Sequence, residues 1–222
     1  MIRDGKCPRL TPLPRALKYL NHAFRVFRTI RRSPEMSGRG FHRAVFFDRD
    51  GTLMEEVHYC NDPSLVRAFP GVAASLRLLR QAGWLNVIVT NQSGIASGKI
   101  SMAQYQSVNA ELSRQLDQLV DAVYFCPDSP AAPTPRRKPG TGMIGEAVRD
   151  LGIDPALSWM VGDKDIDIAC GRAAGCRTIL VGTGYGADHA ASSPDHVAAG
   201  VAEAVEIILR EAGSAFDKVP TV

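Results

Sequence analysis

Residues 44–52 read Ala44-Val45-Phe46-Phe47-Asp48-Arg49-Asp50-Gly51-Thr52. An uninterrupted apolar run meets two carboxylates spaced two apart, and Gly-Thr follows. The run reads as a short buried strand, and residues i and i+2 of a strand point the same way. If the strand continues to Asp50, both carboxylates face one site. If it ends at Asp48, Gly51 lets the chain turn and keep Asp50 nearby. A strand end with an Asp-Gly turn is also common plain architecture, so this segment alone leaves site and turn as even alternatives.

Outward from Ala44 the pattern repeats. Strands are predicted over 44–48, 85–90, 121–126, 158–162, 177–181 and, short, near 195–198. Helices are predicted over 71–82, 101–118, 140–151, 166–174 and 200–212. Pro70-Gly71 and Gly83 bracket the first helix as start and stop signals. Leu112, Leu116 and Leu119 read as core. Alternating strands and helices, with near-continuous apolar strands, imply a parallel sheet covered on both faces. The expected class is therefore α/β, a three-layer Rossmann-like arrangement, whose site lies beyond the carboxyl ends of the strands. The polar residues fall there: Asp48 and Asp50 after the first strand, Thr90-Asn91-Gln92-Ser93-Gly94 after the second, Cys126 through Lys138 after the third, Gly162-Asp163-Lys164 after the fourth. Independent turns would not need that agreement.

The 222 residues suit one domain with a possible appendage. No apolar run approaches the ~20 residues of a membrane-spanning helix, and no signal-peptide core is evident. Five scattered cysteines argue against a disulfide framework and for a reducing, cytoplasmic setting. The net charge of +3 hides an asymmetry: residues 1–43 hold 11 basic and 2 acidic residues, a balance of +9, and the remainder is −6. The division expected is a basic extension over 1–42, a catalytic domain over 43–213 and a tail over 214–222. In the extension, Leu13, Leu17, Leu20, Phe24 and Phe27 recur at helical spacing. That helix could dock on a partner or on its own domain. Equally, Met36 could be the start of translation; contact with an anionic membrane ranks below both.

Asp48, Asp50, Asp163, the Thr90 hydroxyl and the Lys138 amine would converge on the rim. Carboxylates in all-oxygen surroundings suit Mg²⁺. Thr90 and backbone N–H groups can hold phosphate oxygens, and Lys138 can neutralise charge developing on a transferred phosphoryl group. Asp48 would attack to form an aspartyl-phosphate. Asp50 would protonate the leaving oxygen and then activate water.

Four segments in order, Asp48-Arg49-Asp50-Gly51-Thr52, Thr90-Asn91-Gln92-Ser93-Gly94, Arg137-Lys138-Pro139 and Gly162-Asp163-Lys164-Asp165-Ile166-Asp167, resemble the four motifs of the haloacid dehalogenase (HAD) superfamily. The resemblance spans about residues 43–212. Thr90 to Lys99, Arg137-Lys138-Pro139 with Gly142-Met143, and Trp159 to Lys164 are similar to the family of D-glycero-D-manno-heptose 1,7-bisphosphate 7-phosphatases and histidinol-phosphate phosphatases. That resemblance implies an essentially capless HAD-like fold and a phosphoric monoester hydrolase acting on a small phosphorylated sugar. It implies Asp48 as nucleophile and Mg²⁺ ligand, Asp50 as acid/base with its carbonyl on the metal, and Asp163 as the other metal ligand. Thr90 and Lys138 would bind the transferring phosphate, Asn91 lie in the phosphate loop and Arg137 contact substrate. Lys164 and Asp167 are possible outer supports of the metal shell, Asp167 by orienting Lys164 or, more plainly, by capping a helix.

The chain also departs from that family, which carries a structural Zn²⁺ on three Cys and one His. Only Cys126 stands at a ligand position. Asp128 replaces the His, and Thr134 and Arg136 the later two Cys. Structural Zn²⁺ is not expected. Four prolines between 127 and 135 can stiffen the loop instead. The change leaves the sugar open but not the phosphoryl chemistry.

Plainer readings attach to other residues. Asp165 reads as solvated, Thr52 as part of the turn, His58, His189 and His196 as structural or surface, and Cys60, Cys170 and Cys176 as small buried residues. Gly182-Thr183-Gly184-Tyr185-Gly186 reads by default as a flexible loop, though it could border the site. Histidinol phosphate or another small phosphomonoester is the rival substrate. A non-catalytic partner-binding protein is the rival class, disfavoured by the intact set of five site residues. A nucleic-acid 3′-phosphatase is disfavoured by the acidic body, and a monomer without nucleic acid is expected.

Overall fold

The structure, a computed structural model, describes residues 41–216; the basic amphipathic segment lies outside the described residues. Six strands form one parallel sheet: β1 (Arg43–Phe47), β2 (Trp84–Asn91), β3 (Ala122–Cys126), β4 (Trp159–Gly162), β5 (Arg177–Val181) and β6 (His196–Ala198). Their order is β3-β2-β1-β4-β5-β6. Between them run α1 (Val72–Gln81), a single turn α2 (Ser93–Ala96), α3 (Met102–Gln115), α4 (Gly142–Leu151), α5 (Asp165–Ala173) and, after β6, α6 (Val201–Phe216).

The period-2 alternation of β1 divides the interior into two cores. Val45 and Phe47 pack with Leu76 and Leu79 of α1, Leu112 of α3 and Ile208 of α6. Ala44 and Phe46 face the other way, onto Met143 and Ile144 of α4 and Cys170 of α5. The sheet is thus covered on both faces, as the unbroken apolar strands require. Leu112, Leu116 and Leu119 belong to the first core.

Strand positions agree with the sequence reading to within a residue. The largest helix difference in the middle of the chain is α3, which ends at Gln115 rather than 118. Asp117 and Gln118 take positive φ (51° and 55°) and unwind the helix without the glycine that usually marks such an end. The start of α3 is legible: Ser101 and Gln104 form a reciprocal capping box. Four short helical turns escape the reading: α2 and the 3₁₀ turns over Pro63–Leu65, Pro155–Leu157 and Gly186–Ser192. Neither segment 48–71 nor 92–121 holds an inserted domain.

The topology matters for function because the chain reverses direction across the sheet at β1. From β1 it winds outward through β2 to β3, then returns to β4 on β1's other side. The crevice between the carboxyl ends of β1 and β4 is the switch point at which open α/β sheets bind ligands.

Candidate active site

β1 ends at Phe47, and Asp48 N–H still donates to Val161 O of β4 at 3.0 Å. The chain then turns: Leu53 and Met54 N–H both donate to Arg49 O, and Gly51 N–H donates to Met54 O. Of the two geometries open to the sequence, the chain takes the one that needs glycine. Gly51 has φ +81°, and a Cβ there would lie 2.3 Å from Asp163 Oδ2. Gly184 (φ +59°) approaches the same oxygen equally closely, 2.7 Å (for its Cβ) from Gly51 Cα. Tyr185 N–H donates to Asp163 Oδ2 at 3.0 Å, and Thr183 Oγ1 donates to Gly51 O at 2.7 Å. The Gly182–Gly186 run is therefore packed against the β1 turn and Asp163, which corrects its default reading as a flexible loop. Thr52, fully buried, stands 3.5 Å from Asp163 Oδ1.

Lys138 is at the centre. Its buried Nζ lies 2.8 Å from Asp48 Oδ1 and 2.6 Å from Asp167 Oδ1, and donates to Val89 O at 2.8 Å. The buried ammonium is thus held by two ion pairs and one hydrogen bond. Asn91 clamps the Lys138 backbone, donating from Nδ2 to its carbonyl at 3.1 Å and accepting its N–H on Oδ1 at 3.0 Å. Asp167 Oδ2 accepts Lys164 N–H at 3.1 Å and caps α5. Asp167 therefore orients Lys138 and caps the helix, whereas the Lys164 side chain points to Glu56 at 3.2 Å and lies over the Tyr185 ring.

One oxygen each from Asp48, Asp163 and Asp167 lies within 4.8 Å of the others, all buried. Three carboxylates against one buried ammonium leave an excess of negative charge. Burial and the Asp48 charge push the Asp163 carboxyl up to about 6, against the pull of Tyr185 N–H and Lys164. Burial also raises Asp167, with Lys138 pulling it down. Burial alone would lower Lys138, but Asp167 and Asp48 outweigh it and hold the ammonium well above its usual range. Hard oxygen donors with surplus buried charge fit a divalent cation such as Mg²⁺. Asp167 pairs with Lys138 through Oδ1 and caps α5 through Oδ2, whereas Asp163 Oδ1 meets only Thr52 Oγ1 at 3.5 Å, so the Asp48 and Asp163 side chains are the better placed of the three to hold the ion.

Asp50 lies beside this cluster. Its carboxylate accepts from Arg49 Nε (3.1 Å), Arg49 NH2 (3.0 Å) and Gln92 Nε2 (2.8 Å), and Gln92 Nε2 also donates to buried Thr90 Oγ1 at 2.9 Å. Arg49 and Gln92 were not singled out by the sequence. Asp48, Asp50, Asn91, Arg137, Lys138 and Lys164 all border one open cavity of about 440 Å³.

Arg137 reaches this cavity from the proline-rich loop, anchored by NH1 donating to Asp128 O at 2.8 Å. Asp128 Oδ2 accepts both Thr134 N–H (3.0 Å) and Thr134 Oγ1–H (2.5 Å), and Arg136 pairs with Glu146 at 2.8 Å. Burial pushes the Cys126 thiol up to about 11. A protonated thiol, a carboxylate committed to Thr134, a hydroxyl and a guanidinium do not form a tetrahedral zinc donor set.

Of the remaining residues, His58, Cys60 and His189 border the cavity, and His196, Cys170 and Cys176 lie away from it. His189 stands 3.4 Å from exposed Asp165, and His196 pairs with Glu211 at 2.7 Å. His58 borders the cavity and stacks edge-on against Tyr59. Cys60, Cys170 and Cys176 are buried and free. Among the described residues no helix is long and apolar enough to cross a membrane.

Three comparisons bear on this geometry. A family model described as "HAD-hyrolase-like" matches residues 135–204. A D-glycero-D-manno-heptose-1,7-bisphosphate 7-phosphatase of Thermosynechococcus vestitus is 40% identical over 185 residues, covering 74% of this chain and 94% of that protein. A D-glycero-beta-D-manno-heptose-1,7-bisphosphate 7-phosphatase of Haemophilus ducreyi is 40% identical over 153 residues, covering 64% of this chain and 84% of that one. Among solved structures, a D,D-heptose 1,7-bisphosphate phosphatase from B. bronchiseptica, complexed with magnesium and phosphate, superimposes with TM-score 0.71 at 32% identity, covering 76% of this chain and 99% of that one.

Proposed function

The chain belongs to the D-glycero-D-manno-heptose-1,7-bisphosphate 7-phosphatase family of HAD-like hydrolases, and we propose that it hydrolyses a phosphate monoester of a small phosphorylated sugar, heptose bisphosphate foremost. The observation that supports this best is the buried Asp48–Lys138–Asp167 chain beside Asp163 at the switch point, with Asp48 and Lys138 in the wall of the cavity and Asp163 and Asp167 buried behind them.

In this reading Asp48 attacks phosphorus while Asp50 gives a proton to the leaving sugar oxygen as its P–O bond breaks. Asp50 then takes a proton from the water that attacks phosphorus of the aspartyl-phosphate. Phosphate leaves and Asp48 is restored. Lys138 fixes Asp48 and sets a positive charge beside the transferring group, Thr90 offers its hydroxyl to a phosphoryl oxygen, and Asn91 holds Lys138 in place. Arg137 and Lys164 offer cations to the rest of the substrate. A Mg²⁺ held by Asp48, Asp163 and the Asp50 carbonyl would supply charge neutralisation on the phosphoryl oxygens. Structural zinc has no part in it, and the catalytic unit is residues 43–213.

A steady-state panel of phosphorylated metabolites, run with and without Mg²⁺, tests the substrate. Heptose 1,7-bisphosphate is expected to exceed histidinol phosphate in kcat/KM by at least about tenfold, a difference of ~1.4 kcal/mol in transition-state binding. Equal values would remove the preference for the heptose.

Metal binding should depend on pH. Asp163 must lose its proton to bind the ion, and its carboxyl is raised to about 6. A carboxyl raised on folding stabilises the metal-free protein below its unfolded value, near 4, and loses that contribution as pH rises through about 6. Mg²⁺ acts with the opposite sign. Its affinity is expected to fall as pH drops through about 6, approaching tenfold per pH unit below that. The Mg²⁺-induced rise in Tm should therefore be large near pH 7.5 and small near pH 5. Equal shifts at both would contradict the assignment of Asp163.

A further inference from the structure

Arg49 sits between the two carboxylates of the β1 turn and is only 1% exposed. Alternation along an extended strand would aim it away from Asp50. The turn over Arg49–Met54 instead folds the guanidinium back onto the next residue, where Nε meets Asp50 Oδ2 and NH2 meets Asp50 Oδ1. That two-point fork fixes the plane of the carboxylate as well as its place. The fork is itself held. NH1 donates to Asn109 Oδ1 of α3 at 2.9 Å, NH2 donates to Gln92 Oε1 at 3.1 Å, and the Tyr105 ring lies 5.7 Å from Cζ.

Gln92 completes the arrangement. Because its Oε1 accepts from Arg49, its Nε2 is turned to donate to Asp50 Oδ2 and Thr90 Oγ1. A carboxylate oxygen offers about two acceptor sites. Asp50 Oδ2 uses both, on Arg49 and Gln92, whereas Oδ1 uses one. Thr90 Oγ1 already accepts, so its own proton is left to donate.

We infer that Arg49 is a positioning residue for the reaction: anchored by Asn109 and Gln92, it fixes Asp50 so that Oδ1 is the oxygen that passes the proton. Oδ1–H gives its proton to the leaving sugar oxygen as the P–O bond breaks, and Oδ1 then takes one from the attacking water. The inference rests on the acid/base reading of Asp50 proposed above. A lysine could keep the charge but not the fork, so charge and orientation are separable.

The test compares kcat/KM for heptose 1,7-bisphosphate, whose alkoxide leaving group needs the proton, with 4-nitrophenyl phosphate, whose leaving group scarcely does. The constant kcat/KM covers only steps up to release of the alcohol. Asp50→Asn is expected to lose roughly 10³-fold on the sugar and under about tenfold on the aryl ester. Arg49→Met should lose roughly 10²-fold and a few-fold respectively, with Arg49→Lys between it and the unaltered enzyme. Asn109→Ala leaves the buried ion pair intact and should show a smaller loss with the same bias. It decides the matter if Arg49→Met does not fold. Equal losses on both substrates in the Arg49 and Asn109 variants, with Asp50→Asn still biased, would make Arg49 a mere prop and overturn the inference. An unbiased Asp50→Asn would overturn the acid/base reading, and the inference with it.

Discussion

Asp48→Asn is expected to lower phosphatase kcat by roughly 10⁴-fold or more, since loss of an attacking group leaves only binding and electrostatic stabilisation. Its stability should change little. The carboxamide keeps the shape of the side chain and an oxygen for Lys138 Nζ, now 2.8 Å from Asp48 Oδ1. It also removes a negative charge that raises both Asp163 and Asp167. Without metal, Tm should stay within a few degrees of the unaltered protein, because the lost attraction to Lys138 is offset by relief of carboxylate repulsion. Phosphate release and thermal unfolding on the same preparation check both halves. Turnover retained by the variant would remove Asp48 from the nucleophile role, whatever its stability.

The fold was legible because its signals are local. β1 reads as a strand from four apolar residues, and the capping box of α3 from Ser101 and Gln104. The charged strand ends also agree on one rim, so Asp48, Asp163 and Lys138 could be named before their contacts were known. What stayed hidden depends on contacts distant in sequence or on bends that reverse a local rule. Arg49 looks like an outward-facing residue until the turn folds it back. Gln92 becomes informative only when the β1 turn brings Arg49 and Asp50 against it. Gly184 looks permissive in sequence, yet it sits where any side chain would strike Asp163. The end of α3 was misplaced because Asp117 and Gln118 adopt left-handed backbone without glycine. The loop over 126–138 could be seen to lack zinc ligands, but not that Asp128 turns to Thr134 and that Arg137 is tethered to its carbonyl.

Lys138→Met should have the largest combined effect. The side chain is buried and touches Asp48, Asp167 and Val89 O. Methionine fills similar volume but leaves the carboxylates facing one another without their ammonium. Breaking a buried pair by removing one partner costs about 3–5 kcal/mol, and loss of the charge beside the transferring group should lower kcat roughly 10³-fold. The two losses are separable through Asp167, whose buried carboxyl is itself held in an unfavourable setting. Asp167→Asn retains an oxygen for the Lys164 N–H that caps α5 and takes away one unpaired charge. The double variant Lys138→Met with Asp167→Asn is therefore expected to recover at least about half of the lost stability, since part of the cost is the stranded partner rather than the missing contact. Activity should not recover, because Asp48 would still lack its cation. Denaturant unfolding of the four proteins in the cycle, without metal, measures the coupling. A double variant no more stable than Lys138→Met alone would mean that Asp167 gains nothing from Lys138, and that the ammonium serves Asp48 only.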